Sequence, residues 1–147
     1  MTEAWELIAR ESVRDVITRY NSNGDGGRFD AVLALFADDA VMEFHGHAHR
    51  GAAEIRTIFT GTQSQLATAP TAAAPGYVRH FTATHQIDVI DRTHATSRCY
   101  FAAVTRIGLD HWGRYVDQFV AADEVWKFAS RRVLVDGQAA NSVFPRA

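Results

Sequence analysis

The sequence has a single cysteine, no excess of basic residues and no long hydrophobic run. Cys99 is the only cysteine in 147 residues, so an internal disulfide and a thiolate metal cluster are excluded. The formal net charge of -2 argues against a nucleic acid as the main partner. The N-terminal stretch MTEAWELIARES lacks the apolar centre of a signal peptide, and no apolar run reaches the length of a membrane span. We therefore expect a cytoplasmic protein that binds neither nucleic acid nor a membrane.

The composition is that of a folded globular protein. Hydrophobic residues make up 47% of the chain, and 147 residues are enough to enclose a sizeable core. There is no internal repeat, no low-complexity tract and no linker-like stretch. Residues 1–147 are therefore predicted to form a single domain.

The first half of the chain has helical periodicity. Apolar residues recur at 3.6-residue spacing from Trp5 to Tyr20, which predicts a first helix that begins after Thr2. A polar link with several glycines follows, carries Asp25, and is predicted to break the helix. The predicted elements of this half are helices at residues 2–20, 29–36 (ended by Asp38 and Asp39) and 51–60, and a strand at residues 40–45 continued by a hairpin arm to residue 50.

The second half changes to the period-two alternation of strands. It follows a segment at residues 62–76, rich in Ala, Thr, Gln and Pro, that fits a loop, a short helix with a loop, or a lid over a site. The predicted strands cover residues 78–90, 95–107, 114–122 and 125–135, with a hairpin loop at residues 108–113. Helices followed by an antiparallel meander indicate an α+β fold, in which the helices cover one face of a curved sheet and enclose a cone-shaped pocket.

His80 and Asp25 are the leading candidates for chemistry. His80 shares a polar strand face with Thr82 and Thr84, which predicts a lined cavity; Phe81, Ala83, His85, Ile87 and Val89 are expected on the opposite face. A carboxylate bound to one imidazole nitrogen fixes the tautomer and makes the other nitrogen a better base. The alternatives are a solvated or core histidine and an ordinary turn acid, and the sequence leaves them open.

Further candidates come from the last two strands. Asp117 shares a face with Tyr115 and Phe119, so it lies either on a solvated face or in an apolar pocket, where its raised pKa would let it donate a hydrogen bond. Arg131 and Arg132 alternate, so one of them can point inward and bind a carboxylate or enolate; two surface arginines are the alternative.

No metal or cofactor is predicted. His45, His47 and His49 would present three rings on one face if extended, a possible zinc or nickel arrangement, but solvated histidines on a hairpin arm are favoured. No serine or cysteine lies in a nucleophile motif, and GDGG follows a helix rather than a strand, unlike a phosphate-binding loop. Several aromatic residues are candidates either for the pocket wall or for the core: Trp5, Trp112, Phe44 and Tyr100.

The motifs of the whole chain resemble those of a known superfamily. The first helix ends in RY, and DGGRFD, ALFADDAVMEF, RG-x-x-x-I, VRH, GRYVDQF and VWKFASR follow in order. This pattern is similar to the SnoaL-like branch of the NTF2-like superfamily. The resemblance implies a cone-shaped α+β barrel, a fold that supports many different functions.

Within that superfamily the chain resembles the scytalone dehydratase-like lyases, which include hexachlorocyclohexane dehydrochlorinase and bile-acid 7α-dehydratase. These enzymes use an Asp–His dyad for proton abstraction and elimination without a cofactor. The resemblance implies catalytic roles for Asp25, His80 and Tyr20 in a dehydratase acting on a small hydrophobic cyclic substrate. The expected substrate-binding residues are Arg131, which follows Trp126 by five residues as in the family, and Asp117, Tyr115, Phe44 and Tyr100.

Two departures keep other functions open. Thr105 stands where scytalone dehydratases have a second pocket histidine. Ketosteroid isomerases match at Tyr20 and Asp117, but their catalytic base falls on Phe44, so His80 would have to replace it. Dioxygenase β subunits share the fold and are largely structural, which makes a ligand-binding or subunit module the third possibility. Relatives form dimers or trimers, so the resemblance implies a homo-oligomer.

Overall fold

The computed structural model describes residues 1–68 and 76–144, without the side chains of residues 65–68. Three helices come first, with strands between the second and third and a run of strands after them. The helices are α1 (Ala4–Asp25), α2 (Phe29–Leu33) and α3 (Gly51–Thr68), and the strands are β1 (Phe36–Phe44), β2 (His47–Arg50), β3 (Arg79–Val89), β4 (His94–Thr105), β5 (Gly108–Ala122) and β6 (Val125–Gln138).

The strands form one six-stranded sheet in the order β2-β1-β6-β5-β4-β3. All neighbouring strands are antiparallel except β1 and β6, which are parallel. Helix α1 contacts β3 and β6, and α3 contacts β1 and β2, so the helices pack against the curved, unclosed sheet. The hydrophobic core lies between these layers and includes Ile17, Met42, Phe119 and Phe128. The predicted α+β architecture is therefore confirmed.

Helix α1 is longer than predicted. It continues past Tyr20 through the Asn- and Gly-containing stretch and ends at Asp25. Asn21 is buried, and a side chain at Gly24 would meet Phe59, so this extra turn packs against the body of the protein. Packing thus overrides the weak helix propensity of Asn and Gly, and the break comes only at Gly27, whose φ is +72°. Asp25 therefore lies at the end of a helix rather than on a loop.

Strand β1 begins where the second helix was predicted to continue. Phe36 is the first residue of β1 and is buried beside Phe128, its partner on β6, at 4.9 Å between ring centroids. Asp38 and Asp39 lie within the strand rather than at a helix end. The predicted second helix was too long because apolar spacing over a few residues cannot separate a helical face from a buried strand.

Strand β3 contains an irregularity that the alternation could not show. Its pairing with β4 shifts register between Ala83 and Gln86, and Thr84 has a φ of +56°. A bulge of this kind adds a residue and reverses which face the later residues occupy. Ile87 is therefore buried in the core, whereas Phe81 is exposed. The prediction that both share a face opposite His80 was wrong.

Strand β5 begins at Gly108, so the predicted hairpin loop at residues 108–113 is part of a strand. The chain reverses at residues 106–107 instead. The earlier start aligns His111 with Ala103 of β4, and a register shift follows between Ala103 and Val104. Two polar residues that sequence patterning assigned to a loop, Asp110 and His111, are thereby placed on the sheet.

The histidine arm is bent rather than extended. His45 and Gly46 form a turn with φ angles of 49° and 76°, and only His47 and His49 lie on β2. The segment at residues 62–76 continues α3 to Thr68, and the predicted lid at residues 69–75 lies outside the described residues. No helix in residues 1–68 and 76–144 is long and apolar enough to cross a membrane.

Gly113 lies at a close contact between β5 and β6, and its replacement should destabilise the fold. A Cβ there would clash with the carbonyl oxygen of Leu134 and stand 3.0 Å from the Phe101 ring. We expect Gly113→Ala to lower the free energy of unfolding by about 1–3 kcal/mol in urea denaturation. Gly61→Ala is the control, because a Cβ there meets nothing within 4 Å. Equal effects of the two changes would contradict this account of the sheet.

Candidate active site

A cavity of about 530 Å³ lies between α1, α3 and the sheet. Its wall combines apolar side chains with a group of polar ones that converge from several elements. The apolar residues of the wall include Met42, Phe44, Ile58, Phe59, Val78, Val133, Val135 and Phe144, and the histidines are His45, His47, His49, His80 and His111. An apolar pocket with few converging polar groups is the usual form of a small-molecule site.

Asp25 and His80 meet in this cavity. Oδ1 of Asp25 is 2.6 Å from Nδ1 of His80, and Oδ2 accepts a hydrogen bond of 2.7 Å from the backbone N–H of His80. Both side chains are largely buried, with 11% and 19% exposed. An ionised carboxylate can only accept hydrogen bonds, so this contact places the neutral ring's proton on Nδ1. Nε2 is then the nitrogen left with a lone pair.

A second histidine in the cavity is also bound by a carboxylate. Nδ1 of His111 is 2.8 Å from Oδ1 of its neighbour Asp110, which is fully buried. Asp110 also accepts hydrogen bonds from Thr105 Oγ1 at 3.0 Å, Ser142 Oγ at 2.5 Å and the backbone N–H of Val143 at 2.9 Å. Burial raises the pKa of Asp110, but the hydrogen bonds together outweigh it and hold the pKa below its usual value.

The two histidines are neighbours. Their ring centroids are 6.0 Å apart with the planes at 76°, and Phe101 packs within about the same distance of both rings. Burial lowers the pKa of His111, Asp110 opposes this, and charge on His80 lowers it further. The protonated form of His111 is therefore a stronger acid than a free imidazolium.

Sequence reasoning missed Asp110 and His111 because GLDHWG was assigned to a loop. Their place on the sheet depends on where the hairpin turns and on the register shift between Ala103 and Val104, which the alternation does not show. Thr105, the position at which the sequence was compared with the second pocket histidine of scytalone dehydratases, donates its hydroxyl to Asp110. The second pocket histidine of this chain thus comes from the following strand.

Besides Asp25 and His80, three predicted site residues lie on the cavity wall: Tyr20, Tyr115 and Phe44. Burial raises the pKa of Tyr20 to about 12, so its hydroxyl keeps its proton at neutral pH. That hydroxyl is 3.9 Å from Met42 Sδ, a weak acceptor. Tyr115 instead donates its hydroxyl proton to Oδ1 of Asn21 at 3.2 Å.

Arg131 and Asp117 do not line the cavity, contrary to the prediction that they bind substrate. They are buried and form a two-bond ion pair, with distances of 2.8 Å from Nε of Arg131 to Oδ1 of Asp117 and from Nη2 to Oδ2. The guanidinium also packs on the rings of Tyr20, Tyr115 and Phe128 at 3.9–4.4 Å from their centroids. Arg131 is thus the inward arginine. Asp117 binds its Nε and Nη2 and three rings pack on the group, while Nη1 is buried without a hydrogen-bond partner among the described residues.

The predicted role of Tyr100 is also corrected. Tyr100 is 57% exposed and does not line the cavity, because alternation on β4 puts it on the outer face of the sheet. Arg132 is partly exposed and pairs with Glu43 at 3.1 Å. Trp5 and Trp112, candidates for the pocket wall, also lie outside the cavity lining.

The histidines of the arm border the cavity without forming a metal centre. Burial and the charges of His111 and His47 lower the pKa of His45. Across residues 1–68 and 76–144, no group of three or more His, Cys, Asp or Glu side chains is arranged to hold a metal ion. Their place at the rim makes them candidates for contacts with a polar part of a ligand.

Breaking the buried ion pair between Asp117 and Arg131 should cost much more stability than breaking an exposed ion pair. Asp117→Asn should destabilise the protein by about 3–5 kcal/mol, because it leaves the Arg131 charge buried and uncompensated. The matched control is Asp136→Asn, which breaks the exposed pair between Arg114 and Asp136, joined at 3.0 Å, and should cost no more than about 1 kcal/mol. Urea denaturation of both variants measures the difference, and similar losses would contradict the assignment.

The lowered pKa of His111 predicts the sign of one contribution to stability. An unfolded histidine titrates near pH 6.5, and the folded ring titrates lower, so the unfolded chain binds this proton first as the pH falls. Stability from His111 is complete above about pH 6.5 and is lost as the pH falls through the folded-state pKa. Ring NMR titration, with His111→Gln to assign the signal, should give a midpoint below 6.5; a midpoint above it would refute the prediction.

Comparisons with known proteins place this geometry in context. The chain matches the family described as SnoaL-like domain over residues 5–132. A search of the curated proteins found no match. Many solved structures share the fold.

Three of these structures show the range of proteins that share the fold. A candidate scytalone dehydratase from Novosphingobium aromaticivorans has 18% identity, a TM-score of 0.80 and coverage of 97% of this chain and 93% of its own. A type 2 hexachlorocyclohexane dehydrochlorinase has 12% identity, a TM-score of 0.76 and coverage of 99% and 98%. The β subunit of a candidate aromatic-ring-hydroxylating dioxygenase from N. aromaticivorans has 15% identity, a TM-score of 0.70 and coverage of 90% and 92%. At these identities the likeness establishes the fold alone.

The family match spans most of the chain and agrees with the curved sheet and the cavity beside it. The protein belongs to the SnoaL-like domain family of the NTF2-like superfamily.

Proposed function

We propose that the protein is a cofactor-independent lyase, a dehydratase that removes a proton with His80 and then eliminates water. The observation that carries this proposal is the 2.6 Å contact between Asp25 and His80 inside the cavity. A ring held by a carboxylate on Nδ1 presents Nε2 to a ligand as a base. The lyases among the structural neighbours agree with this chemistry without establishing it.

The proposed reaction begins at an acidic C–H bond next to a carbonyl group. Nε2 of His80 takes the proton, and the electrons of that bond move onto the carbonyl oxygen as an enolate. Asp25 stabilises the imidazolium that forms. The enolate then collapses, a carbon–carbon double bond forms, and the bond from the β-carbon to its leaving group breaks.

Tyr20 is the proposed donor to the enolate oxygen. Its side chain lines the cavity, its pKa of about 12 keeps the hydroxyl protonated, and its only protein acceptor among the described residues is the weak thioether of Met42. A hydrogen-bond donor directed at developing negative charge is among the largest contributions to catalysis of this type. Tyr115 is less suited, since its proton already goes to Asn21.

The proposed substrate is a small hydrophobic cyclic ketone with a leaving group on its β-carbon. Aromatic and aliphatic side chains form much of the cavity wall, which favours an apolar ring system. Polar groups converge from α1, β3 and β5, so the reactive end of the substrate would face His80 and His111. A homo-oligomer in the cytoplasm remains our expectation for the assembly and its location.

A ketosteroid isomerase-like reaction is the alternative that shares the enolate. That reaction needs a protonated acid near the oxyanion, and Asp117 was the candidate for it. Asp117 is instead paired with Arg131 and lies outside the cavity lining, so this observation disfavours the alternative. A non-catalytic binding module or dioxygenase β-subunit-like role would use the same cavity without needing His80.

The role of His80 can be tested with cyclic β-hydroxy ketones in D₂O, for instance β-hydroxycyclohexanone and β-hydroxydecalone. Wild-type protein should incorporate deuterium next to the carbonyl and release the enone, followed by mass spectrometry and ultraviolet absorbance. His80→Ala should lose both activities by about 10²–10⁴-fold, because the general base is removed. Asp25→Asn should reduce both as well, because the neutral amide no longer supports the imidazolium.

The surface pair of Asp91 and His94, joined at 3.1 Å and more than half exposed, is a matched control. His94→Ala removes a carboxylate-bound ring that does not line the cavity, and it should keep full activity. A His80→Ala protein that folds and retains the wild-type rates would overturn the mechanism. Ligand binding by the wild type with neither exchange nor elimination would favour the binding module instead.

A further inference from the structure

The pair formed by Asp110 and His111 has no part in the reaction as described so far. It repeats the arrangement of Asp25 and His80: a carboxylate on Nδ1 and a ring on the cavity wall. The two rings belong to strands β3 and β5, which lie on either side of β4, and their centroids are 6.0 Å apart. A ligand that contacts one ring therefore lies within reach of the other.

The orientation of His111 is strongly constrained. Asp110 is fully buried and is held by Thr105, Ser142 and the backbone of Val143, so the carboxylate cannot follow a moving ring. Phe144 packs on His111 at 5.1 Å between centroids, and Phe101 packs at 6.1 Å. Because Nδ1 is committed to Asp110, Nε2 is the nitrogen that can exchange a proton with a ligand.

We propose that His111 is the catalytic acid of this site, which protonates the leaving group, and that the leaving group is therefore an oxygen. This inference rests on the proposed lyase function and adds to it a second catalytic residue, which acts on the departing oxygen. The two imidazoles of the cavity have separate roles in proton transfer. His80 takes the proton from the carbon, and His111 gives a proton to the departing oxygen.

The step balances without any further reactant. His111 enters the step as the imidazolium, with Nδ1–H donated to Asp110 and a second proton on Nε2. The bond from the β-carbon to oxygen breaks with both electrons going to the oxygen, while Nε2 of His111 passes its proton to that oxygen and water is released. The enolate electrons form the new double bond. His80 ends protonated and His111 neutral, so one proton must return from the first ring to the second, through water or product, before the next turnover.

The chemistry of the leaving group explains why a second acid points to oxygen. Hydroxide is strongly basic and leaves slowly unless it is protonated during bond breaking, whereas chloride is a weak base and leaves unaided. General acid catalysis contributes about 10²–10⁴-fold where a proton is needed. An enzyme that expelled only halide would gain nothing from a carboxylate-bound imidazole on the leaving-group side.

The test compares two leaving groups on one skeleton. Wild-type protein, His111→Gln and His80→Ala are each assayed with β-hydroxycyclohexanone and β-chlorocyclohexanone, with spontaneous chloride loss subtracted. His111→Gln should lose water elimination by about 10²–10⁴-fold, yet keep chloride elimination and α-deuterium exchange within a few-fold of wild type. His80→Ala should lose both eliminations and exchange.

A second variant guards against misfolding. His111→Phe keeps an aromatic ring against Phe101 and Phe144, and circular dichroism with thermal denaturation checks that each variant is folded. If folded His111 variants lose both eliminations in equal proportion, the ring acts by positioning the site, and the proposal is overturned. It is also overturned if water elimination is unaffected. A wild-type protein inactive towards both probes would contradict the lyase function itself, which is a separate outcome.

Discussion

The buried ion pair between Arg131 and Asp117 is the interaction on which the rest of the structure depends. Charges this far from water are unfavourable unless they are paired and their hydrogen bonds are satisfied. Here the two-bond pair sits below the cavity, and Arg131 packs on three aromatic rings at once. Two of those rings, Tyr20 and Tyr115, form part of the cavity wall. The positions of these two wall residues therefore depend on Arg131, which does not itself line the cavity.

Tyr20 of helix α1 packs both on Arg131 and on rings from the sheet and from α3. Its ring makes edge contacts with four others, at 5.7–6.2 Å between centroids, which come from β1, α3, β5 and β6: Phe36, Phe59, Tyr115 and Phe128. Edge-on pairs of this kind add to the stabilisation from burial alone. Tyr20 is therefore held by packing, and its hydroxyl is positioned before any ligand enters. The same packing raises its pKa and keeps it a donor.

The sequence predicted the architecture and the Asp25–His80 partnership because their signals are local or family-wide. Helical and strand periods were clear over long stretches, and Asp25 and His80 lay in recognisable motifs. The prediction failed where a tertiary contact decides the outcome. The bulge at Thr84 reverses the face of Ile87, and a hairpin that turns two residues early moves His111 from a loop into the cavity. Neither event changes the local pattern of apolar residues.

Because residues of a strand alternate between its two faces, the sequence showed that either Arg131 or Arg132 could point inward. It did not show what an inward arginine would bind. An inward arginine can bind a ligand or a neighbouring carboxylate, and only the position of Asp117 on the adjacent strand decides between them. For the same reason Asp117 could be placed between two aromatic residues but not assigned to an ion pair. Single-strand patterns show which face a charge occupies and not whether the space in front of it is already filled.

Strand β3 lies at the edge of the sheet, where unpaired backbone N–H groups can recruit a strand from another chain. Asp25 occupies one of these groups, because its Oδ2 accepts the backbone N–H of His80 while Oδ1 binds the ring. The Asp25 carboxylate therefore pairs one backbone N–H of the sheet edge and also orients the His80 ring as a base. A chain that lost this acid would lose the proposed chemistry and leave this one N–H of the edge without its partner, so the pairing of the edge and the reactivity of the base cannot change independently at this position.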